Sequence, residues 1–178
     1  MTASSGNLLA DNFTEGRSAA LDLLWIFSFS LLTALLAQVA IPLPFTPVPL
    51  TGQTFAVLLS GAVLGSRRGF LSQLLYLAQG AAGLPVFAGG AFSVAYMLGP
   101  TGGYLLSFPL AAGLIGLLVE RGAGRRMGRL AAALLLVDML ILALGTSWLM
   151  VLFGDPFRKA VMMGIYPFIA GDILKILL

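Results

Sequence analysis

Residues 130–153 read LAAALLLVDMLILALGTSWLMVLF and contain one charged side chain, Asp138. A helix needs about 20 mostly apolar residues to cross the hydrocarbon core of a bilayer, and this stretch meets that requirement. The rest of the 178-residue chain has the same character, because 59% of its residues are hydrophobic and 10% are charged. A soluble domain carries about 25% charged residues. The sequence therefore indicates an integral membrane protein.

The composition also excludes several kinds of active site. The chain has no cysteine and no histidine, so disulfides, thiolate catalysis, histidine-based triads and the usual zinc sites are excluded. It has no GxxxxGK[ST] phosphate loop for ATP hydrolysis and no basic face interleaved with aromatic residues for nucleic acid. We expect no catalytic residues, no metal, no cofactor and no nucleic-acid partner.

The apolar runs predict an all-α membrane protein, built as a bundle of six transmembrane helices. We place five spans near residues 21–40, 52–65, 70–84, 103–119 and 130–153, and the sixth begins near Val161. Residues 19–178 form one predicted domain after a polar N-terminal tail, residues 1–18. Spans 2 and 3 are short for a core about 30 Å thick, so we expect them to extend into neighbouring glycines and prolines. The sequence stops three residues after Lys175, which predicts a truncated last helix.

Basic residues are divided unequally between the loops. Seven lie in the tail and in the connections after spans 2 and 4: Arg17, Arg67, Arg68, Arg121, Arg125, Arg126 and Arg129. The connection between spans 5 and 6 has two, Arg158 and Lys159. Because positive residues in short loops mark the cytoplasmic side, we expect the N-terminus to be cytoplasmic.

The two loops on the opposite side carry no charge and are rich in proline and glycine. Residues 41–51 read IPLPFTPVPLT, and their four prolines fix φ and prevent a helix. Residues 83–104 include a glycine pair at 89–90 and the run GPTGGY at 99–104, where glycine permits tight turns and close approach to a ligand. Such long apolar loops predict a cap over a ligand pocket.

A few polar side chains stand at membrane depth, where charges are costly and often mark a substrate site. Asp172 and Lys175 are spaced i, i+3, which places them on one helix face. They either neutralise each other or offer an acceptor and a donor to a urea-like or amide-like ligand. Asp138 is expected to be hydrogen-bonded to a neighbouring helix or protonated. Gln53 opens span 2 directly after the proline-rich loop, at the predicted level of the pocket.

The chain resembles the BioY family, the biotin-specific S components of energy-coupling factor transporters, in four segments that occur in order. They read PLPFTPVPLTGQTFAVLLSGAVLG, LSQLLYLAQGAAGLPVFAGG, LGPTGGYLLSF and PFIAGDILK. The resemblance covers almost the whole chain after the tail. It implies a six-helix bundle in a prokaryotic plasma membrane, with a biotin pocket near the outer face beneath the two uncharged loops.

The resemblance also implies roles for particular residues and partners. Asp172 and Lys175 match the acid and lysine of the family's GDxxK signature, so the carboxylate would accept a ureido N–H and the ammonium would meet the ureido oxygen. Gln53 and Tyr104 match pocket or lid positions. The implied partners are a transmembrane coupling protein and two ATPase subunits. A solitary carrier for biotin or another small solute, and a membrane enzyme using Asp138 or Asp172, remain alternatives.

Family S components dock on the coupling protein through small residues on helix 1, according to the same resemblance. Here Ser30 and Ala34 offer that four-residue spacing, and Thr33 and Ala37 repeat it on the adjacent face. Small residues allow helices to approach closely in lipid. The resemblance therefore implies docking through one of these sets, and Gln38 continues the first of them at the same spacing.

Overall fold

The structure is a computed structural model that describes residues 19–154, 157–165 and 168. Within this part of the chain the helices are α1 Ala19–Ala37, α2 Gln53–Leu64, α3 Ser66–Ala81, α4 Val94–Met97, α5 Gly102–Glu120, α6 Met127–Phe153 and α7 Phe157–Gly164. Short 3-10 turns lie at Ala88–Gly90 and Ala123–Arg125. A two-stranded antiparallel ribbon pairs β1 Ala40–Ile41 with β2 Leu50–Thr51.

Helix α5 lies at the centre of the bundle and packs against α2, α3 and α6. Helix α1 packs on α2 and α3, and α7 packs on α6. Ala111, Ala112 and Ile115 of α5 are fully buried in the core. The bundle is therefore organised around one helix with neighbours on several sides.

Glycines allow α2, α3 and α5 to touch backbone to backbone. A Cβ atom on Gly61 of α2 would collide with the carbonyl oxygen of Ala112, and one on Gly116 of α5 would collide with the backbone of Ser66. A Cβ atom on Gly69 of α3 would meet the backbone of Gly61. Small residues favour such close helix contacts in membranes, where packing rather than the hydrophobic effect drives association.

The turn between α2 and α3 consists of a single residue, Gly65, with φ of 83°. This left-handed φ is favourable for glycine and costly for other residues. Helix α3 begins immediately afterwards at Ser66, so Arg67 and Arg68 lie in its first turn. The predicted start of span 3 at Phe70 is therefore wrong, because two charged residues were read as a loop although they begin a helix.

The other predicted boundaries differ from the structure by a few residues. Helix α1 ends at Ala37 rather than at 40, since the chain bends and enters β1 there. The predicted spans 103–119 and 130–153 correspond closely to α5 and α6. Val161 lies inside α7, which begins at Phe157, so this helical segment starts earlier than predicted. Asp172 and Lys175 lie outside the described residues.

Among the described residues, three helices, α1, α5 and α6, are long and apolar enough to cross a membrane. Helix α2 has 12 residues and α3 has 16, which correspond to about 18 and 24 Å of helix. The expected extension of spans 2 and 3 is wrong for α2, which stops at Leu64 before Gly65. Helix α3 is longer than predicted at its N-terminal end, where it includes the two arginines. It ends at Ala81, before the glycine and proline that follow.

One end of the bundle, which we call the charged end, holds the first turns of α1 and α3 and the last turn of α5. Arg68 Nη2 lies 3.1 Å from Asp22 Oδ1. Glu120 accepts hydrogen bonds from the Ser66 N–H at 2.7 Å and from its hydroxyl at 2.9 Å. A carboxylate at a helix N-terminus is favourable because it meets the positive end of the helix dipole.

A buried polar cluster joins α1, α2 and α3. Gln73 is fully buried, and its Nε2 donates to Thr33 Oγ1 and to Ser60 Oγ, both at 3.1 Å. Ser30, Ala34 and Ala37 are also buried. The small residues of α1 therefore face into the bundle in this structure, and docking of a partner through them stays a prediction.

The close approach of α2 to α5 predicts a steep cost for one added methyl group. Gly61→Ala should lower the free energy of unfolding by about 1–3 kcal/mol, because the new Cβ meets backbone atoms that cannot move aside. Gly128→Ala is the matched control, since a Cβ there meets nothing within 4 Å and alanine favours a helix. Unfolding of both purified variants in detergent, followed by circular dichroism, tests this. Equal stability of the two variants would contradict the packing.

Candidate functional site

A cleft lies at the end of the bundle opposite the charged end, which we call the cleft end. Its walls come from the first residues of α2 and α5, from α6, and from the two loops at residues 38–52 and 82–101, here named the proline-rich and glycine-rich loops. The space between its atoms is about 490 Å³ when counted to the open mouth.

Gln53 stands at the start of α2 and lines the cleft, as predicted. Its Oε1 accepts a hydrogen bond from Thr51 Oγ1 at 2.9 Å, and its Nε2 donates to the hydroxyl of Tyr76. A primary amide has two donor hydrogens and two acceptor lone pairs. Each end of the Gln53 amide therefore keeps capacity for one more hydrogen bond.

Tyr76 connects Gln53 to the glycine-rich loop. The hydroxyl of Tyr76, on α3, receives a hydrogen bond from Gln53 and donates to the carbonyl oxygen of Val86 at 3.2 Å. A second bond from Gln38 Nε2 to the Phe87 carbonyl, at 3.2 Å, ties the same loop to the end of α1. The two loops are thus joined through side chains from α1, α2 and α3.

Phe87 anchors the glycine-rich loop. Its ring is fully buried and packs edge-on against Tyr76 and in a stacked arrangement with Tyr96, with centroids 5.5 Å apart in both cases. A Cβ atom on Gly80 would collide with this ring, so the glycine makes the room that the phenyl group occupies. The loop is held at one deeply buried point beside the cleft.

Tyr104 also lines the cleft, but its hydroxyl is already engaged. It donates to the carbonyl oxygen of Gly164 in α7 at 2.8 Å. Its ring lies 6.0 Å from the ring of Phe168 and touches Gly145 of α6. The Tyr104 hydroxyl has therefore used its donor within the protein, and the aromatic ring contributes to the cleft wall.

The GPTGGY segment brings α5 and α6 together at the cleft. A Cβ atom on Gly103 would collide with the side chain of Trp148, and the indole N–H of Trp148 donates to the carbonyl oxygen of Gly99 at 2.9 Å. The glycines of this segment are needed mainly for close packing between helices. The close approach that these glycines allow is to Trp148 of α6, and the expected approach to a ligand stays a prediction.

The structure brings two of the four predicted site residues, Gln53 and Tyr104, into the wall of one cleft. Asp172 and Lys175 lie outside the described residues, so their placement stays a prediction. Phe168, four residues before Asp172 in the chain, is in the cleft wall. Asp138 is 1% exposed in α6, and its role also stays a prediction.

Sequence reasoning missed Tyr76, Phe87 and Tyr96. They could have been identified because they are aromatic residues within, or shortly before, a loop that otherwise consists mainly of glycine and other small residues. Aromatic pairs gain stability from edge-on and offset-stacked contacts, so such residues often form an anchor. No group of three or more potential metal ligands occurs in the described part of the chain.

The described residues form a helical membrane protein with a largely apolar cleft between two loops. A sequence model of the BioY family matches residues 9–178. The probable biotin transporter BioY of Pyrococcus horikoshii is 44% identical over 147 residues, which cover 83% of this chain and 84% of that protein. The biotin transporter BioY of Thermotoga maritima is 41% identical over 136 residues, covering 76% and 79% respectively.

The fold is also similar to a crystal structure of the S-component for biotin from an ECF-type ABC transporter. The TM-score is 0.83 at 26% sequence identity, and the match covers 91% of this chain and 89% of the other. This chain therefore belongs to the BioY family, as its sequence motifs predicted.

The hydrogen bonds of Tyr76 can be tested by comparison with Tyr96, because both residues pack on the ring of Phe87. Tyr76→Phe should lower the free energy of unfolding by about 1–3 kcal/mol, because a buried amide loses its partner. Tyr96→Phe should change it by less than about 0.5 kcal/mol, since the structure gives the Tyr96 hydroxyl no hydrogen bond within the described residues. Chemical unfolding in detergent measures both, and equal losses would contradict the assigned link.

Proposed function

We propose that this protein is the biotin-binding S component of an energy-coupling factor transporter and mediates biotin uptake. Membership of the BioY family is the observation that carries the proposal. It is supported by a relative named as a biotin transporter that matches most of the chain and by the similarity to a biotin S component. The protein is a transport component rather than an enzyme.

The proposed site uses the cleft and the segment that follows it. Asp172 accepts N–H groups of the biotin ureido ring, and Lys175 donates to the ureido oxygen. The position of Phe168 in the cleft wall supports this, because Asp172 follows it by four residues. Gln53 adds a donor and an acceptor, and Tyr104 adds an aromatic wall.

The proposed topology has six transmembrane helices in one domain, residues 19–178, with the N-terminus in the cytoplasm of a prokaryotic cell. The arginines of the charged end support this orientation, since positive residues mark the cytoplasmic side. The cleft end then faces outward, with the proline-rich and glycine-rich loops as its cap.

The proposed partners are a transmembrane coupling protein and two ATPase subunits. This sequence has no phosphate loop, so the energy for uptake comes from other chains. The protein captures biotin on the outside, and the cycle of its partners leads to release on the inside.

Biotin titration of the purified chain in detergent, by isothermal calorimetry, tests the site. Asp172→Asn combined with Lys175→Ala should weaken binding by at least a hundredfold, because two hydrogen bonds that involve charged groups are lost. Lys159→Ala is the control for the lysine substitution, since it replaces a lysine by alanine at an exposed position of α7. It should leave the affinity for biotin unaltered. Wild-type affinity in the purified double variant would refute the site.

Uptake into liposomes separates the proposed transporter from a solitary carrier. The chain reconstituted alone should bind biotin without concentrating it, whereas coupling protein and ATPases supplied together with ATP should drive accumulation. Transport by the chain alone, above the level of the double variant, would favour the solitary carrier.

A further inference from the structure

Thr101 stands at the junction between the glycine-rich loop and α5 and lines the cleft. It belongs to the same face of α5 as Tyr104, Leu105 and Phe108, which also line the cleft. The spacing i, i+3, i+4, i+7 is that of one helix face. The cleft therefore runs along α5 from the very first turn of the helix.

Thr101 is the N-cap residue of α5 but does not cap it. A threonine at this position commonly accepts a hydrogen bond from the N–H of the second or third helical residue. Here no side-chain cap bond forms, and the residue has helical φ and ψ of −82° and −7°. The side chain consequently leaves the helix end without the stabilisation that a threonine cap usually provides.

The hydroxyl oxygen of Thr101 is buried and has no hydrogen-bond partner in the part of the chain that the structure describes. Leaving a buried polar group unpaired is costly, and most buried polar groups in proteins are paired. Other hydroxyls in the same wall differ, since Thr51 donates to Gln53 and Tyr104 donates to Gly164. Among the described residues Thr101 is therefore a cleft-lining residue with an unpaired hydroxyl.

The surroundings of Thr101 favour a negatively charged acceptor. The N-terminus of a 19-residue helix begins at this point, and its dipole is positive there. No lysine or arginine is among the described residues that line the cleft. A carboxylate in this position would thus meet a neutral hydroxyl donor and the positive end of the helix.

We propose that Thr101 is a ligand-binding residue that donates a hydrogen bond to the carboxylate of the bound ligand. This inference rests on the proposed function, because biotin carries one carboxylate at the end of an alkyl chain. In this arrangement the Thr101 hydroxyl and the start of α5 recognise the acid end. Asp172 and Lys175 recognise the ureido end.

Titrations of the full-length chain in detergent test the contact with two ligands, biotin and an analogue in which a methyl group replaces the carboxylate. Thr101→Val removes the hydroxyl with little change of shape and should weaken biotin binding about ten- to a hundredfold. Its affinity for the analogue should stay within about twofold of the wild type. Thr101→Ser keeps the hydroxyl and should bind biotin nearly as well as the wild type.

Thr146→Val is the matched control, because Thr146 Oγ1 is also a buried hydroxyl oxygen without a partner among the described residues but does not line the cleft. It should bind both ligands like the wild type. Thr101→Ala supplies a second hydroxyl-free variant if the valine variant does not elute as a folded protein.

Three results would overturn the contact: unchanged biotin affinity in Thr101→Val, an equal loss for biotin and the analogue, or an equal loss in Thr146→Val. A wild-type chain that binds no biotin would overturn the proposed function and this inference with it. Biotin binding by the wild type combined with unaltered selectivity in Thr101→Val would overturn the Thr101 contact alone.

Discussion

The structure depends on the distance at which α5 meets its neighbours. In a membrane, lipid is as apolar as the helices, so the association of helices depends on close packing. Gly61 and Gly116 bring α2 and α3 into backbone contact with α5. Gly103 allows the Trp148 side chain of α6 to pack closely on α5. These contacts leave no space for a methyl group. They therefore fix the position of α5 along its axis and its rotation about that axis.

The fixed position of α5 determines what lies at each end of the bundle. At one end, Glu120 reaches the first turn of α3 and binds Ser66. At the other, the first turns of α5 present Thr101 and Tyr104 to the cleft. The hydroxyl of Tyr104 extends further to Gly164, which joins α7 to the same helix. The cleft is therefore built on a helix that cannot shift independently of the core.

Much of this arrangement could be predicted from the sequence. Long apolar runs identified α5 and α6, and the position of Gln53 after four prolines identified one wall of the cleft. Arg67 and Arg68 were misplaced in a loop because charge patterns do not reveal that one glycine suffices for a turn. The link through Tyr76 could not be read either, since it joins residues 23 positions apart through tertiary packing.

The two ends of the bundle are closed by interactions of different kinds. The charged end uses an arginine–aspartate pair and a glutamate on a helix terminus, and Arg68 and Asp22 are both partly open to solvent. The cleft end uses neutral hydrogen bonds among Gln53, Tyr76 and Val86. Ionic strength screens exposed charges but has little influence on bonds between neutral groups. A rise in ionic strength would accordingly weaken the contacts of the charged end and leave those of the cleft end almost unaffected.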